Sequence, residues 1–215
     1  MAQKKANRKS RGHDVGARAT AAPDTRSRIV AAARVLFWEK GYGAAGMAEI
    51  LARAGVNAGS FYHFFKGKED VLNEVLTSYL AMLDQEVMEP AFRNTKDPIE
   101  RVFRVLAGYR NVILVTDFAY GCPLGRLAFE LDPEDRPAHK LIAANFAAWR
   151  ERVAGCVRDA FAGRKGSPRP DDVAALALAV MEGGVIQARS EKSIAPFDAA
   201  VKELRRYFDL VMGSG

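Results

Sequence analysis

Cysteine is scarce in this sequence of 215 residues, which contains only Cys122 and Cys156. Two isolated cysteines cannot build a disulfide scaffold, and neither lies in a cluster with the spacing of a metal site. The three histidines, His13, His63 and His139, are equally scattered. We therefore expect no structural metal and no cofactor.

Several sequence patterns of enzymes and of membrane proteins are also missing. The chain has no Gly-x-Ser-x-Gly or His-Glu-x-x-His motif and no phosphate-binding loop. It has no run of eighteen apolar residues, and its first residues, "MAQKKANRKSRG", lack the apolar middle of a secretory signal. These absences predict a cytoplasmic protein that is not an enzyme and has no membrane partner.

Positive charge is confined to one end of the chain. Residues 1–28 contain eight Lys or Arg and two acids, whereas the remainder is balanced, with 24 of each sign. A segment so poor in apolar residues cannot bury enough surface to order itself, so residues 1–22 are expected to form a flexible basic arm. The arm has two interpretations, a solubilising terminus or a sequence-independent contact with phosphates.

Helical periodicity begins directly after the arm. The first helix can be capped by Asp24 or Thr25, and apolar residues then repeat with helical spacing until "KGYG". A second amphipathic helix ends at Gly55, which can adopt a left-handed backbone conformation. Asn57 can cap a short third helix that runs to about Phe64. Two short helices joined by a tight turn predict a helix-turn-helix.

The third helix has the composition of a DNA-reading helix. The N-terminal part of the second helix of such a motif faces base edges in the major groove, and small or short polar residues there permit close approach. Phe61 and Phe65 should point into the core. An ordinary helical hairpin with an exposed aromatic edge remains an alternative on spacing alone. The candidate DNA contacts are Asn57, Ala58, Gly59, Ser60, Tyr62, His63, Lys66 and Lys68.

The stretch "TRSRIVAAARVLFWEKGYGAAGMAEILARAGVNAGSFYHFFKGKEDVL" resembles the DNA-binding domain of the TetR family of bacterial regulators. The "KGY", the "AGV" turn and above all "GSFYHFFKGKEDVL" carry the resemblance. It implies a dimeric, usually repressing, ligand-responsive transcription factor that binds a palindromic DNA operator. Ala45 stands at a DNA-facing position where the family commonly has a Thr that caps helix two and contacts phosphate, so we expect that contact to be missing.

The rest of the chain also has helical patterning, which predicts an all-α fold of about nine helices. The expected organisation is a helix-turn-helix domain at residues 23–68, followed by a ligand-binding and dimerisation domain at residues 69–213. Helix four should end at Pro90, and the fifth helix should run from about Pro98 to Phe118. The segment "GCPLGRLAFE" opens the sixth helix and is similar to one subgroup of the family's C-terminal domains.

Two polar residues interrupt the apolar faces of the later helices. Arg110 on helix five and Asn145 on helix seven would each cost free energy if they were buried without a partner. Arg110 could pair with Asp117 or Glu130, and Asn145 could bond to backbone. Alternatively, both could be polar groups of a mostly apolar pocket.

The family resemblance implies such a pocket between helices four and seven, which would bind a small-molecule effector. Arg110 alone suggests an effector that carries a carboxylate or an aromatic ring. The candidate ligand contacts are Tyr79, Met82, Leu83, Phe103, Tyr109, Arg110, Cys122, Phe146 and Trp149.

Cys122 suggests an alternative function, a regulator that senses oxidants or electrophiles through its thiol. The residue lies just before a helix start, where a thiolate could be favoured. Buried packing is the competing interpretation.

The last two helical runs, from about Pro170 to Ala188 and from Ala195 to Met212, combine small residues with an apolar stripe. This composition indicates a helix-pair interface. The resemblance implies that these helices from two protomers form a four-helix bundle, and intramolecular packing is the alternative.

Overall fold

The computed structural model describes residues 24–213, so the expected arm at residues 1–22 lies outside the described residues. Within this range all regular secondary structure is helical, which confirms the predicted all-α fold. The nine longer helices are α1 (Thr25–Lys40), α2 (Met47–Ala54), α3 (Ala58–Phe64), α4 (Lys68–Met82), α5 (Pro98–Val115), α6 (Pro123–Glu130), α7 (Arg136–Ala160), α8 (Pro170–Glu191) and α9 (Ala195–Gly213).

The first three helices begin and end where local sequence signals predict. The Asp24 side chain caps α1 by accepting a hydrogen bond from the Ser27 N–H at 2.7 Å, and Asn57 caps α3 in the same way. Gly55 ends α2 with a φ of 64°, a left-handed conformation that glycine adopts without steric cost. Helices α2 and α3 therefore form the predicted helix-turn-helix.

Gly41, Gly43 and Gly46 form a Gly-x-Gly-x-x-Gly pattern. In a dinucleotide-binding fold this pattern follows a β-strand and opens a helix. Here it lies between helices α1 and α2, and no strand occurs in residues 24–213. The pattern therefore does not form a nucleotide site of that type.

Helix α4 does not end at Pro90 as expected. It continues through a π-helical segment, Leu83–Met88, into a last helical turn, Glu89–Phe92. Proline has no N–H to donate, and inside a helix its ring crowds the carbonyl four residues earlier. The wider π-helical turns directly before Pro90 accommodate both effects, so the helix passes the proline.

Helix α5 ends at Val115 and so stops short of the predicted end at Phe118. Asp117 and Phe118 have φ values of 48° and 58°. A left-handed backbone cannot continue a right-handed helix, so the chain turns here and leads into the loop before α6.

Two hydrophobic cores hold the helices together. The first contains α1 to α4 together with α6 and the first turns of α7, for example Leu127 and Ile142. The second contains α5, the later part of α7, α8 and α9. Helix α7 contributes to both cores. The division into domains at residue 68 stays a prediction, because the first core continues beyond that residue.

Helix α8 is long and apolar enough to cross a membrane by length and composition alone. Its most apolar window is 44% buried inside the protein. Ala174, Ala177 and Met181 on this helix belong to the second core. The apolar composition of α8 therefore matches its packing inside the fold.

Candidate DNA-binding surface and effector cavity

Helix α3 separates its aromatic residues between two faces. Phe61 and Phe65 are buried and stack on each other, with ring centroids 5.6 Å apart, which confirms their predicted core role. Tyr62 is 68% exposed, and the neighbouring His63 and Lys66 are also exposed. The structure thus brings most of the predicted DNA-contacting residues onto one accessible end of the molecule.

The Asn57 side chain caps helix α3, in addition to its predicted contact with DNA. Its Oδ1 accepts a hydrogen bond from the Ser60 N–H at 2.8 Å and caps α3. Because this oxygen is engaged, the side-chain NH2 is the group that remains for a base edge or a phosphate. Ala58 and Gly59 are exposed beside it, as close approach to DNA requires.

The structure corrects the position of Ala45. Its side chain is fully buried in the first core, and its N–H donates to the Gly41 carbonyl at 3.3 Å. A buried methyl group cannot contact DNA. Gly46, the N-cap of α2, provides no side-chain cap, so the cap that a Thr would supply is absent as expected.

Lys68 points at the connection between α1 and α2. Its ammonium donates a hydrogen bond to the Tyr42 carbonyl and lies 4.4 Å from the centroid of the Tyr42 ring. Burial lowers the pKa of the Lys68 ammonium, and the negative charge of Glu130 opposes that shift. A contact between Lys68 and DNA stays a prediction.

A cavity of about 390 Å³ lies between α4, α5 and the loop before α6. Five of the predicted ligand contacts line it, namely Tyr79, Met82, Leu83, Tyr109 and Cys122. Burial is the main cause of raised pKa values for Tyr79 and Tyr109. Both phenols therefore stay neutral, and each can donate or accept a hydrogen bond inside the cavity.

Helix α1 forms a wall of this cavity that is not among the contacts predicted from the sequence. Arg34, Val35 and Trp38 line it, and the Trp38 indole N–H donates to the Gly121 carbonyl at 2.8 Å. The only signal in the sequence was their spacing, which places the three residues on one helical face. The segment that carries the helix-turn-helix therefore borders the cavity directly.

Four predicted ligand contacts do not line the cavity. Phe103 packs edge-on against Phe208, with ring centroids 5.7 Å apart, and the Arg205 guanidinium carbon lies 3.7 Å from the centroid of the Phe103 ring. Phe146 packs in the first core, and Trp149 is buried in the second.

Arg110, the fourth predicted ligand contact that lies outside the cavity, forms a surface ion pair with Asp198 of α9 at 2.7 Å. This partner differs from the predicted Asp117 and Glu130. The ion pair also removes the reason for expecting a carboxylate-bearing effector, because that expectation depended on Arg110 facing the pocket.

Asn145 is 4% exposed and makes the backbone hydrogen bonds that the sequence predicted. Its side-chain NH2 donates to the carbonyls of Leu76 at 3.0 Å and Leu141 at 2.9 Å. Asn145 also lines the cavity, so both interpretations of this residue apply. It ties α7 to α4 through the bond to Leu76.

The surroundings of Cys122 disfavour a thiolate. Cys122 lies directly before α6, as expected, and its sulfur accepts a hydrogen bond from the Gly125 N–H at 3.5 Å. Burial and the neighbouring Glu182 carboxyl nevertheless raise the pKa of the Cys122 thiol. The pKa of Glu182 is itself raised by burial. Desolvation therefore outweighs the helix start at this position.

A second, open groove of about 820 Å³ lies between α6 and α8. It shares Trp38, Gly121, Cys122 and Val185 with the cavity, so the loop before α6 separates the two. In residues 24–213 no group of three or more His, Cys, Asp or Glu side chains is placed to hold a metal ion.

Two family models match the chain. Residues 29–75 match bacterial regulatory proteins of the tetR family, and residues 98–203 match the C-terminal domain of LmrA/YxaF-like transcriptional regulators. The chain belongs to the TetR family. Members of this family are DNA-binding transcriptional regulators rather than enzymes, which confirms both expectations from the sequence. The association of "GCPLG" with one subgroup stays a prediction.

This TetR-family chain is similar to known transcriptional regulators, and the similarity covers most of the length of each relative. An uncharacterised HTH-type transcriptional regulator of Mycobacterium tuberculosis is 28% identical over 182 residues, covering 84% of this chain and 92% of that protein. The HTH-type transcriptional repressor DhaR of Mycobacterium sp. is 26% identical over 177 residues, covering 80% and 86%.

Solved structures of TetR-family proteins have the same fold. A regulatory protein TetR from Rhodobacter sphaeroides aligns with a TM-score of 0.76 at 24% identity, covering 85% of this chain and 97% of that one. Reduced NemR of Escherichia coli aligns with a TM-score of 0.72 at 23% identity, covering 85% and 96%. At these identities the likeness concerns the fold alone.

Proposed function

We propose that this TetR-family regulator is a repressor that binds a palindromic DNA operator as a homodimer and is released by a small-molecule effector. The observation that carries the proposal is the exposed surface of α3 and of the residues directly after it, which presents Tyr62, His63 and Lys66 together with the small residues Ala58 and Gly59. In this proposal residues 23–68 read DNA, residues 69–213 bind the effector and the partner protomer, and the basic arm adds phosphate contacts.

Dimerisation is supported by the outer faces of α8 and α9. Leu176 and Ile186 on α8 and Leu210 on α9 are large apolar residues that the single chain leaves exposed. Because a palindromic site has two-fold symmetry, it is matched by a two-fold protein with one reading helix for each half-site. We assign these faces to the partner protomer.

An effector site is supported by the cavity of about 390 Å³, which lies in the size range of small-molecule pockets. Apolar groups predominate in its lining, with a few hydrogen-bonding groups such as the Tyr79 and Tyr109 hydroxyls. We therefore expect a largely apolar effector that carries one or two hydrogen-bonding groups.

The thiol-sensing alternative is the weaker of the two functions. A redox or electrophile sensor needs an accessible cysteine with a lowered pKa. Burial and Glu182 act in the opposite direction on Cys122. Release from DNA by an oxidant that the Cys122→Ser substitution abolishes would restore this alternative.

Footprinting on genomic fragments tests the proposal. We expect protection of one short symmetric site, whereas uniform coating of DNA would indicate a non-specific binder and rule the proposal out. On the protected duplex, Lys66→Ala should reduce the salt dependence of binding by about one counterion. Lys165→Ala is the matched control, because Lys165 is an exposed lysine far along the chain from α3.

A further inference from the structure

Helix α6 completes the backbone hydrogen bonding at the end of helix α1. The Arg126 guanidinium donates to the Lys40 carbonyl at 2.5 Å and to the Glu39 carbonyl at 3.4 Å, and it reaches the Trp38 carbonyl at 3.5 Å. The last carbonyls of a helix have no partner within the helix, and a cation there also complements the helix dipole. Arg126 therefore caps α1 from another part of the fold.

Four residues after Arg126, the Glu130 carboxylate binds the turn that follows α1. It accepts the Tyr42 N–H at 3.0 Å and the Gly43 N–H at 2.6 Å. A Cβ atom at Gly41 would lie 2.4 Å from one carboxylate oxygen, and a Cβ at Gly43 would lie 3.1 Å from the other. A side chain at Gly41 would displace the carboxylate, and a Cβ at Gly43 would require it to shift by a small amount.

The same turn is also held by Lys68, the first residue of α4. The peptide group between Tyr42 and Gly43 presents its carbonyl to the Lys68 ammonium and its N–H to Glu130. One peptide group thus joins α6 to the start of α4, next to the DNA-reading helix α3. Side chains from two helices that border the effector cavity fix its orientation.

We propose that Arg126 and Glu130, the capping pair, are positioning residues that set the orientation of helices α1 to α3 for operator binding. The inference rests on the proposed function, because orientation matters only for a protein that must fit two half-sites at once. The capping pair acts through the backbone of residues 38–43 and is not expected to contact DNA.

Amide hydrogen exchange tests the contact without DNA or effector. In Glu130→Gln one carboxylate oxygen becomes an NH2 group, so one of the two N–H groups loses its acceptor and faces a donor. We expect the Tyr42 or Gly43 amide to exchange about tenfold faster, in keeping with the loss of a hydrogen bond to a charged group. Glu134→Gln removes a nearby exposed carboxylate and should change neither rate. Unchanged exchange in Glu130→Gln would overturn the proposal.

DNA affinity distinguishes positioning from simple stabilisation. On the duplex protected in the footprint, Glu130→Gln should weaken binding about tenfold. On a scrambled duplex of equal length its affinity should stay within about twofold, because phosphate contacts do not depend on half-site spacing. Equal losses on both duplexes, or no loss on either, would contradict a positioning role.

Gly43→Ala provides a second variant that leaves both charges in place. Its methyl group crowds the Glu130 carboxylate, so it should weaken operator binding in the parent and have a smaller effect combined with Glu130→Ala. If the two effects simply add, the capping pair does not act through this turn. If footprinting finds no protected site, the proposed function fails, while the exchange result still tests the contact itself.

Discussion

The close contact between α8 and α9 at Gly184 allows a stability prediction with an internal control. Replacing Gly184 by Ala would place a methyl group 2.9 Å from a ring carbon of Phe197 and 3.3 Å from the Phe197 Cα. Phe197 is 1% exposed, so its ring has little space into which it can move. Gly108→Ala on α5 is the control, because a methyl group there meets nothing within 4 Å.

Both substitutions gain helix propensity, but only Gly184→Ala overpacks the core. Alanine is favoured over glycine in a helix interior by about 1 kcal/mol, and this gain applies at both positions. Overpacking a core costs about 1–3 kcal/mol, and this penalty applies only at Gly184. We therefore expect Gly108→Ala to stabilise by about 1 kcal/mol and Gly184→Ala to be about 1–3 kcal/mol less stable than Gly108→Ala.

Thermal unfolding of both variants at equal protein concentration measures this difference. For a chain of this size, each kcal/mol corresponds to about 2–4 °C in Tm. Equal concentration is needed because a dimer's Tm depends on it. If Gly184→Ala were as stable as Gly108→Ala, the tight α8–α9 packing deduced from the glycine would be refuted.

Three further predictions concern Glu182, Cys122 and Asn145. Because burial raises the pKa of Glu182, its contribution to stability is present below the ordinary value of 4.5 and is lost as the pH rises. Glu182→Gln should therefore match the parent near pH 4 and exceed it in urea denaturation at pH 8. The Cys122 thiol should react with iodoacetamide at least about tenfold more slowly in the folded protein than after unfolding, as followed by mass spectrometry. Asn145→Ala should destabilise by about 2 kcal/mol through loss of the bond to the Leu76 carbonyl, measured by urea denaturation.

The helix boundaries near the N-terminus could be predicted from the sequence because their causes are local. Asp24 and Asn57 bond to N–H groups three residues away, and Gly55 adopts a conformation that depends on its own backbone. The end of α5 could not be predicted in this way. Asp117 and Phe118 adopt left-handed conformations there, but both residue types adopt other conformations as well, so the sequence does not indicate the turn.

Contacts between distant parts of the chain explain the errors at the candidate site. The ion-pair partner of Arg110 is 88 residues away, and several nearer acids were equally plausible from the sequence. The family resemblance predicts Ala45 at the DNA, whereas its burial depends on how α1 and α2 pack. Nothing in the sequence around Trp38 indicates that its indole N–H reaches the loop at Gly121, 83 residues away.

The peptide group between Tyr42 and Gly43 links the two halves of the proposed mechanism. Helix α4 begins at Lys68, whose ammonium donates a hydrogen bond to the Tyr42 carbonyl, and continues to the cavity wall. Helix α6 begins at the cavity and ends at Glu130, whose carboxylate accepts a hydrogen bond from the Gly43 N–H. A ligand can shift a conformational equilibrium only through its difference in affinity between two states. In the proposed mechanism, an effector that moves the start of α6 relative to α4 would change the separation of Glu130 and Lys68, so we place the competition between effector binding and DNA binding at the Tyr42–Gly43 peptide group.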